Sequence, residues 1–241
     1  MNSIQLRYWL SEHFLWIMLG LGAAFTLTWL LLHRKRLRLK WYAAVLLAIL
    51  HTLYGVLCVK VFAFAEAGFN RSDLSAMSLF GAVFLMPPAY WLGAKLFKRK
   101  PAEVFDVFTI CMVFTLLCAR CNCLHAGCCL GRLIPGTEMR WPTREAELVF
   151  YLIFLGIMAP RVRKGKTAGE VYPLYMASYG AFRFITECFR ESSANGIFHI
   201  SHIWAGLTLV LGIGIYMEMK SRKTAQAKKK PDKHRRNNQM R

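Results

Sequence analysis

The sequence lacks the common signatures of soluble nucleotide-dependent and zinc-dependent enzymes. It contains no P-loop, no glycine-rich dinucleotide fingerprint and no H-E-x-x-H pattern. It also lacks long polar segments between its apolar runs, and the short connections cannot bury a hydrophobic core of their own. We therefore expect no separate soluble domain, but one helical membrane domain over residues 1–219 and a basic tail over residues 220–241.

Acidic residues are also scarce. The chain has 13 Asp and Glu against 32 Lys and Arg, giving a net charge of +19, yet 56% of its residues are apolar. The apolar residues form runs close to the about 20 residues that a membrane-spanning helix needs. These runs cover residues 14–32, 43–64, 75–97, 103–124, 145–160, 171–188 and 202–219. The sequence therefore predicts an all-α polytopic membrane protein with about seven transmembrane helices.

Connections rich in Lys and Arg alternate with connections that are poor in them. The rich segments are 33–40, 95–100, 161–166 and the tail, whereas 65–73 and 190–199 each hold a single arginine. Cytoplasmic loops collect cations, so we place the N-terminus outside and the C-terminus in the cytoplasm. The first apolar run precedes its basic cluster, so we expect it to be retained rather than cleaved. The tail fits anionic lipid headgroups better than nucleic acid, because it has no interleaved aromatic residues.

Ionisable residues also occur where a membrane protein should avoid them. The outer connection 119–145 carries Arg132, Arg140 and Arg144 against the topological bias, and Arg120 ends the preceding span. In the sixth predicted span, helical spacing places four polar side chains on one face: Tyr179, Arg183, Glu187 and Arg190. Such groups are costly in a bilayer and often mark a functional pocket. The alternative is a purely structural ion pair within the span.

Arginine is well suited to phospholipid recognition. Its guanidinium group binds phosphate oxygens through paired hydrogen bonds. We therefore hypothesise that Arg120 and Arg183, from the fourth and sixth spans, converge near the outer leaflet on the phosphate of a lipid headgroup.

Five cysteines crowd residues 118–129, with His125 among them. Structural zinc sites usually draw pairs of ligands from separate segments, so this crowding argues against a metal, and we predict no metal ligands and no cofactor. A disulfide within the segment is chemically permitted on the outer face, and its pairing cannot be deduced from the sequence. Cysteines within apolar helices commonly serve as small packing residues.

Three segments resemble the motifs of the prolipoprotein diacylglyceryl transferase family. ARCNCLHAGCCLG is similar to the family motif G-R-x-G-N-F-x-N-G-E-x-x-G at Arg120, Gly127 and Gly131. WPTREAE is similar to H-P-S-Q-L-Y-E at Pro142, Thr143 and Glu147. YGAFRFITECFR is similar to Y-G-x-x-R-x-x-x-E-x-x-R at Tyr179, Gly180, Arg183, Glu187 and Arg190.

The resemblance implies a bacterial inner-membrane enzyme, with no cofactor, that binds phosphatidylglycerol or other anionic phospholipids. It would transfer the diacylglyceryl group to the lipobox cysteine of secreted prolipoproteins, with glycerol phosphate leaving. Arg120 and Arg183 would stabilise the leaving phosphate, Glu187 would orient Arg183, and Tyr179 would hydrogen-bond the headgroup. From its proximity in the sequence, and not from the family motif, we expect His125 to act as a substitute base. We expect substrate binding by the motif residues Gly127, Gly131, Glu147, Gly180 and Arg190, and by two cations of the outer connection, Arg132 and Arg144.

The sequence departs from the family at several motif positions. Phe80 stands where the family has a histidine, Cys123 and Cys128 replace an asparagine and a glutamate, and Trp141 and Arg144 replace a histidine and a glutamine. Two other functions therefore stay open. One is a divergent homologue that binds or modifies another lipid or a partner protein, and the other is a membrane metal or redox protein built on the cysteines.

Overall fold

The structure is a computed structural model that describes residues 3–69, 77–191 and 199–239. Eight helices occupy these ranges: α1 (Ser3–Leu32), α2 (Arg34–Leu37), α3 (Trp41–Glu66), α4 (Phe80–Leu96), α5 (Pro101–His125), α6 (Thr143–Arg163), α7 (Val171–Glu187) and α8 (Ile200–Gln239). Within the same ranges β-structure is limited to two isolated bridges, between Gly131 and Arg190 and between Leu133 and Arg140. The predicted all-α fold is confirmed.

Four of the helices are long and apolar enough to cross a membrane: Glu12–Leu32, Trp41–Glu66, Pro101–His125 and Ile200–Ala225. The other three predicted runs correspond to shorter or more polar helices. Helices α4 and α7 have 17 residues each, and α6 carries charged residues in its first and last turns. The chain is thus a helical membrane protein with several apolar spans. The cation-poor connections 65–73 and 190–199 lie partly outside the described residues, and residues 220–239 of the tail continue α8.

Helix α5 lies at the centre of the bundle, where it packs against α1, α4, α6 and α7. Its apolar segment is 61% buried within the protein, against 22–28% for the other three long apolar helices. Those helices instead expose large apolar side chains such as Trp16, Leu53 and Val210. An exposed apolar belt around a buried central helix is the arrangement that lipid, rather than water, stabilises.

The cation-rich connections meet at one end of the bundle. Arg36 Nη1 donates a hydrogen bond to the carbonyl of Val162 over 2.8 Å, and Arg99 Nη2 donates to the carbonyl of Arg38 over 3.1 Å. These bonds join the connection after α1 to the end of α6 and to the connection after α4. The structure therefore gathers onto one face the segments that the charge pattern predicts to be cytoplasmic.

Asp106 of α5 fastens the start of α7 at the same end. Its buried carboxylate accepts hydrogen bonds from Thr167 Oγ1 at 2.5 Å, from the Gly169 N–H at 2.8 Å and from the Val171 N–H at 3.2 Å. The first N–H groups of a helix have no partner within the helix, so a carboxylate from another element can cap them. Asp106 thus connects the central helix to the turn that sets the position of α7.

Helices α7 and α8 pack closely because glycine stands at their contact. A Cβ atom on Gly180 would approach the backbone nitrogen of Leu209 to 2.5 Å, and one on Gly212 would overlap the backbone of Ala177. Small residues allow this approach between membrane helices. The structure therefore gives Gly180, which the family resemblance assigns to substrate binding, a packing role.

We expect Gly180→Ala to lower the thermal stability of the protein in detergent, with a cost of about 1–3 kcal/mol, which is typical of overpacking. Alanine has a higher helix propensity than glycine, so a loss of stability in this variant would come from the crowded contact between α7 and α8. Thermal unfolding followed by intrinsic fluorescence checks this. Gly214→Ala on α8 is the matched control, because a Cβ there meets no atom within 4 Å. Equal melting temperatures for the two variants would contradict the packing argument.

Candidate functional site

Glu147, in the second turn of α6, is the centre of a buried polar cluster. Its carboxylate lies 2.9 Å from Arg120 Nε and 3.4 Å from Arg183 Nη1. It also accepts hydrogen bonds from the hydroxyls of Tyr151 at 3.1 Å and Tyr179 at 3.3 Å. All five residues are buried. One carboxylate therefore joins α5, α6 and α7, and the predicted convergence of Arg120 with Arg183 is observed around it.

Glu187 forms the second anionic centre of the cluster. Its Oε2 lies 2.9 Å from Arg183 Nη2 and 3.6 Å from Arg190 Nη1. The predicted stripe on the sixth apolar run is therefore one face of α7 and its end. Arg183 is held between two carboxylates, and its guanidinium also lies 5.9 Å from the ring centre of Phe80.

The cluster carries an excess of positive charge. Three guanidiniums, from Arg120, Arg183 and Arg190, face the two carboxylates of Glu147 and Glu187, which leaves a net charge of +1. Burial and the nearby Arg183 and Arg120 lower the pKa of Arg190. The buried Nε of Arg183 has no hydrogen-bond partner among the described residues. A buried, positively charged cluster with an unused donor is suited to binding a monoanion.

The connection between α5 and α6 folds back over the end of α7. The Arg132 N–H donates to the carbonyl of Phe189 over 2.8 Å, next to the bridge between Gly131 and Arg190. Arg140 lies 2.8 Å from Glu191 and donates to the Gly131 carbonyl over 3.1 Å. A side chain on Gly131 would overlap the carbonyl of Trp141, so glycine is required there. The connection is thus held against the end of α7, beside Arg190, by main-chain hydrogen bonds and by the side chain of Arg140.

Three thiols border this cluster. The Sγ atoms of Cys123, Cys128 and Cys129 all lie within 4.8 Å of one another, and Arg120 Nη1 lies 3.9 Å from Cys123 Sγ. A hydrogen bond from Cys123, together with Arg120 and Arg190, lowers the pKa of the Cys129 thiol, whereas burial raises that of Cys128. All eight cysteines of the chain are free thiols in the structure.

The remaining predicted residues lie outside the buried cluster. His125 is exposed and stacks on the Phe14 ring at 4.2 Å, at the end of α5. Gly127 is exposed with a φ angle of +69°. Arg132 is half-buried on the connection, and Arg144 lies 3.6 Å from Glu145.

The structure changes the weight of two predicted roles and adds one residue to the cluster. Glu147, predicted only as a substrate-binding residue, is the charge partner of both central arginines, and the hydroxyl of Tyr179 is directed to it. Tyr151 was not predicted at all. Its position four residues after Glu147 was the available signal, because side chains at that spacing share a helical face.

Comparison with known proteins gives a consistent result. The family model for prolipoprotein diacylglyceryl transferase matches residues 10–218. A phosphatidylglycerol–prolipoprotein diacylglyceryl transferase of Chlorobaculum tepidum is 27% identical over 168 residues, which cover 63% of this chain and 58% of the relative. The aligned part thus spans less than two thirds of that relative. Because the family match extends over most of the chain, this protein belongs to the prolipoprotein diacylglyceryl transferase family.

Proposed function

We propose that the protein transfers the diacylglyceryl group of phosphatidylglycerol to the lipobox cysteine of secreted prolipoproteins. The observation that carries the proposal is the buried cluster of Arg120, Arg183 and Arg190 around two carboxylates, with its net charge of +1. A phosphodiester is a monoanion and fits this charge. The substrates are those that the name of the Chlorobaculum tepidum relative states.

In this reaction the acceptor thiolate attacks the diacylglyceryl carbon next to the phosphate. A carbon–sulfur bond forms while the carbon–oxygen bond to phosphate breaks, and glycerol phosphate leaves with the electron pair. Negative charge grows on the phosphate, where preorganised guanidiniums stabilise it. Arg183 is held in place by Glu147 and Glu187, so little reorganisation is needed when the charge develops.

An apolar cavity between α1, α3, α4 and α5 suits the acyl chains of such a lipid. It has a volume of about 450 Å³, and its lining includes Leu19, Val56, Met86 and Leu116. It also reaches Ala119, the residue before Arg120. Apolar walls beside a cationic headgroup site are the pattern expected for a phospholipid.

The membrane arrangement is part of the same proposal. Seven passes, with the N-terminus outside and the C-terminus in the cytoplasm, would place the basic connections on the cytoplasmic side of a bacterial inner membrane. Arg120, Glu147 and Glu187 lie towards the opposite end of their helices from Asp106 and those connections. The cluster would then lie near the outer leaflet, where secreted prolipoproteins arrive.

The experiment is transfer to a synthetic lipobox peptide by protein reconstituted in phosphatidylglycerol vesicles, with the added mass detected by mass spectrometry. Arg190→Gln should slow transfer on the order of 10- to 100-fold, because it removes one cation from the developing phosphate charge. Its fold should persist, since the bridge to Gly131 is made by the backbone. Thermal unfolding of the variant checks this.

Arg222→Gln is the matched control, because Arg222 is an exposed arginine paired with Glu218 on α8. Vesicles of zwitterionic phosphatidylethanolamine should give no product. Wild-type protein that is inert with phosphatidylglycerol, or full activity in Arg190→Gln, would overturn the proposal. In the first case, specific retention of another lipid would indicate a divergent homologue with a different substrate.

A further inference from the structure

The end of α5 forms a turn that reverses the chain over its own last residues. Gly127 adopts a φ of +69°, the Cys128 N–H donates to the carbonyl of Cys123 over 3.2 Å, and the Gly127 N–H donates to that of Leu124 over 3.4 Å. This pair of bonds around a left-handed glycine defines a Schellman motif. Cys129 follows at φ +58°, a conformation that is uncommon for any residue with a Cβ.

The turn gathers thiols that are spread along the sequence. It brings Cys128 and Cys129 back to Cys123, so that the three Sγ atoms lie within 4.8 Å of one another. Zinc–sulfur bonds of about 2.3 Å put tetrahedral thiolate ligands about 3.8 Å apart. The thiols therefore need to move by only about 1 Å to share one ion. The crowding of the cysteines in the sequence argued against a metal site. In the structure, however, the turn places Cys128 and Cys129 opposite Cys123, so that the three thiols face one another.

We propose that Cys123, Cys128 and Cys129 form a binding site for one zinc ion. Thiolates select thiophilic cations, and a three-ligand site leaves the fourth tetrahedral position open. Metal binding requires deprotonated thiols. Arg120 Nη1 lies 3.9 Å from Cys123 Sγ, so its positive charge would offset part of the negative charge that thiolate ligands bring.

The open fourth coordination position of the zinc ion is suited to the acceptor thiol, and this role rests on the proposed function. The acceptor cysteine would bind there as a thiolate, with its proton released to water. It would lie beside the phosphodiester held by the arginines, since Arg120 contacts both Glu147 and Cys123. After attack on the glyceryl carbon, the sulfur becomes a neutral thioether, which is a weak ligand and leaves the metal. Two of the three thiols, Cys123 and Cys128, stand where the family motif has asparagine and glutamate. In this protein the metal would promote deprotonation of the acceptor thiol.

The metal site is tested with purified full-length protein, prepared without chelator, by elemental analysis and by titration with Co²⁺. We expect about one zinc per chain, and on Co²⁺ substitution the visible and near-ultraviolet absorption of tetrahedral thiolate coordination. Cys128→Ser and Cys129→Ser should lose both signals. Cys121→Ser and Cys188→Ser are matched controls, since both thiols lie outside the group of three. Metal-free wild type, an unchanged signal in the two cluster variants, or a disulfide within the cluster would overturn the site.

Binding of the acceptor is tested on the Co²⁺ protein without lipid. A lipobox peptide should shift the absorption, whereas the same peptide with serine in place of cysteine should leave it unchanged. This readout needs no transfer. A shift without transfer from phosphatidylglycerol would support the inference and overturn the proposed function. Full transfer by a metal-free protein that carries Cys123→Ser, Cys128→Ser and Cys129→Ser together would overturn the inference and support the proposed function.

Discussion

Replacing Glu147 by glutamine is expected to destabilise the protein by about 3–5 kcal/mol, the typical cost of removing one partner from a buried ion pair. The side chains of Arg120 and Arg183 are each only 5% exposed, and both depend on this carboxylate for charge compensation. Glutamine keeps the size and one acceptor oxygen but removes the charge. The three guanidiniums of the cluster would then have only the carboxylate of Glu187 to compensate them, in surroundings that solvate them poorly. We therefore expect a large fall in melting temperature.

The measurement is thermal unfolding in detergent together with the yield of folded protein. Glu145→Gln is the matched control, because that carboxylate is in the same helix, is 47% exposed and, among the described residues, forms an ion pair only with Arg144 at 3.6 Å. Glu147→Asp keeps the charge on a shorter side chain and should fall between the two. A Glu147→Gln protein as stable as the wild type would show that the arginines are compensated in some other way.

Asp106→Ala is expected to destabilise the protein by about 3 kcal/mol or more. Hydrogen bonds to a charged group contribute about 1.5–3 kcal/mol each, and removal also leaves buried donors unsatisfied. The substitution removes three bonds at once, including those to the N–H groups of Gly169 and Val171. The turn before α7 should loosen as a result.

Limited proteolysis and thermal unfolding check this prediction. Cleavage within residues 164–170 should accelerate in Asp106→Ala, whereas Glu103→Ala, a partly exposed acid one turn earlier on α5, should behave like the wild type. Asp106→Asn keeps one acceptor and should lose less stability. Unchanged cleavage in Asp106→Ala would contradict the role of this carboxylate as a fastening point.

Local sequence patterns predicted much of the helical structure but not the centre of the site. Hydropathy marks each long helix, and helical spacing places Arg183, Glu187 and Arg190 on one face. These features depend on residues that are close in the sequence. The partnership of Glu147 with Arg120 joins different helices, and no local pattern specifies which carboxylate will meet which arginine. The sequence therefore singled out residues that the structure brings together, but it did not predict that Glu147 pairs with both Arg120 and Arg183.

Asp106 was missed for the same physical reason. It is a single acid within an apolar run, and its partners begin 61 residues later in the chain. The contact between Gly180 and α8 is likewise visible only once two helices are placed side by side. The predicted seven spans were identified as helices, but charge on α6 and the short lengths of α4 and α7 leave four that qualify by length and composition.

The connection after α5 is attached to the end of α7 largely by main-chain hydrogen bonds, and this has a consequence for how the protein can diverge. Peptide groups are the same at every residue, so side chains along this segment can be exchanged while its path is preserved. Glycine is demanded at Gly131, where a neighbouring carbonyl leaves no room. Cys128 and Cys129, by contrast, are exposed on this connection. Residues of this connection can therefore change while the buried cluster of arginines and carboxylates beneath it is kept.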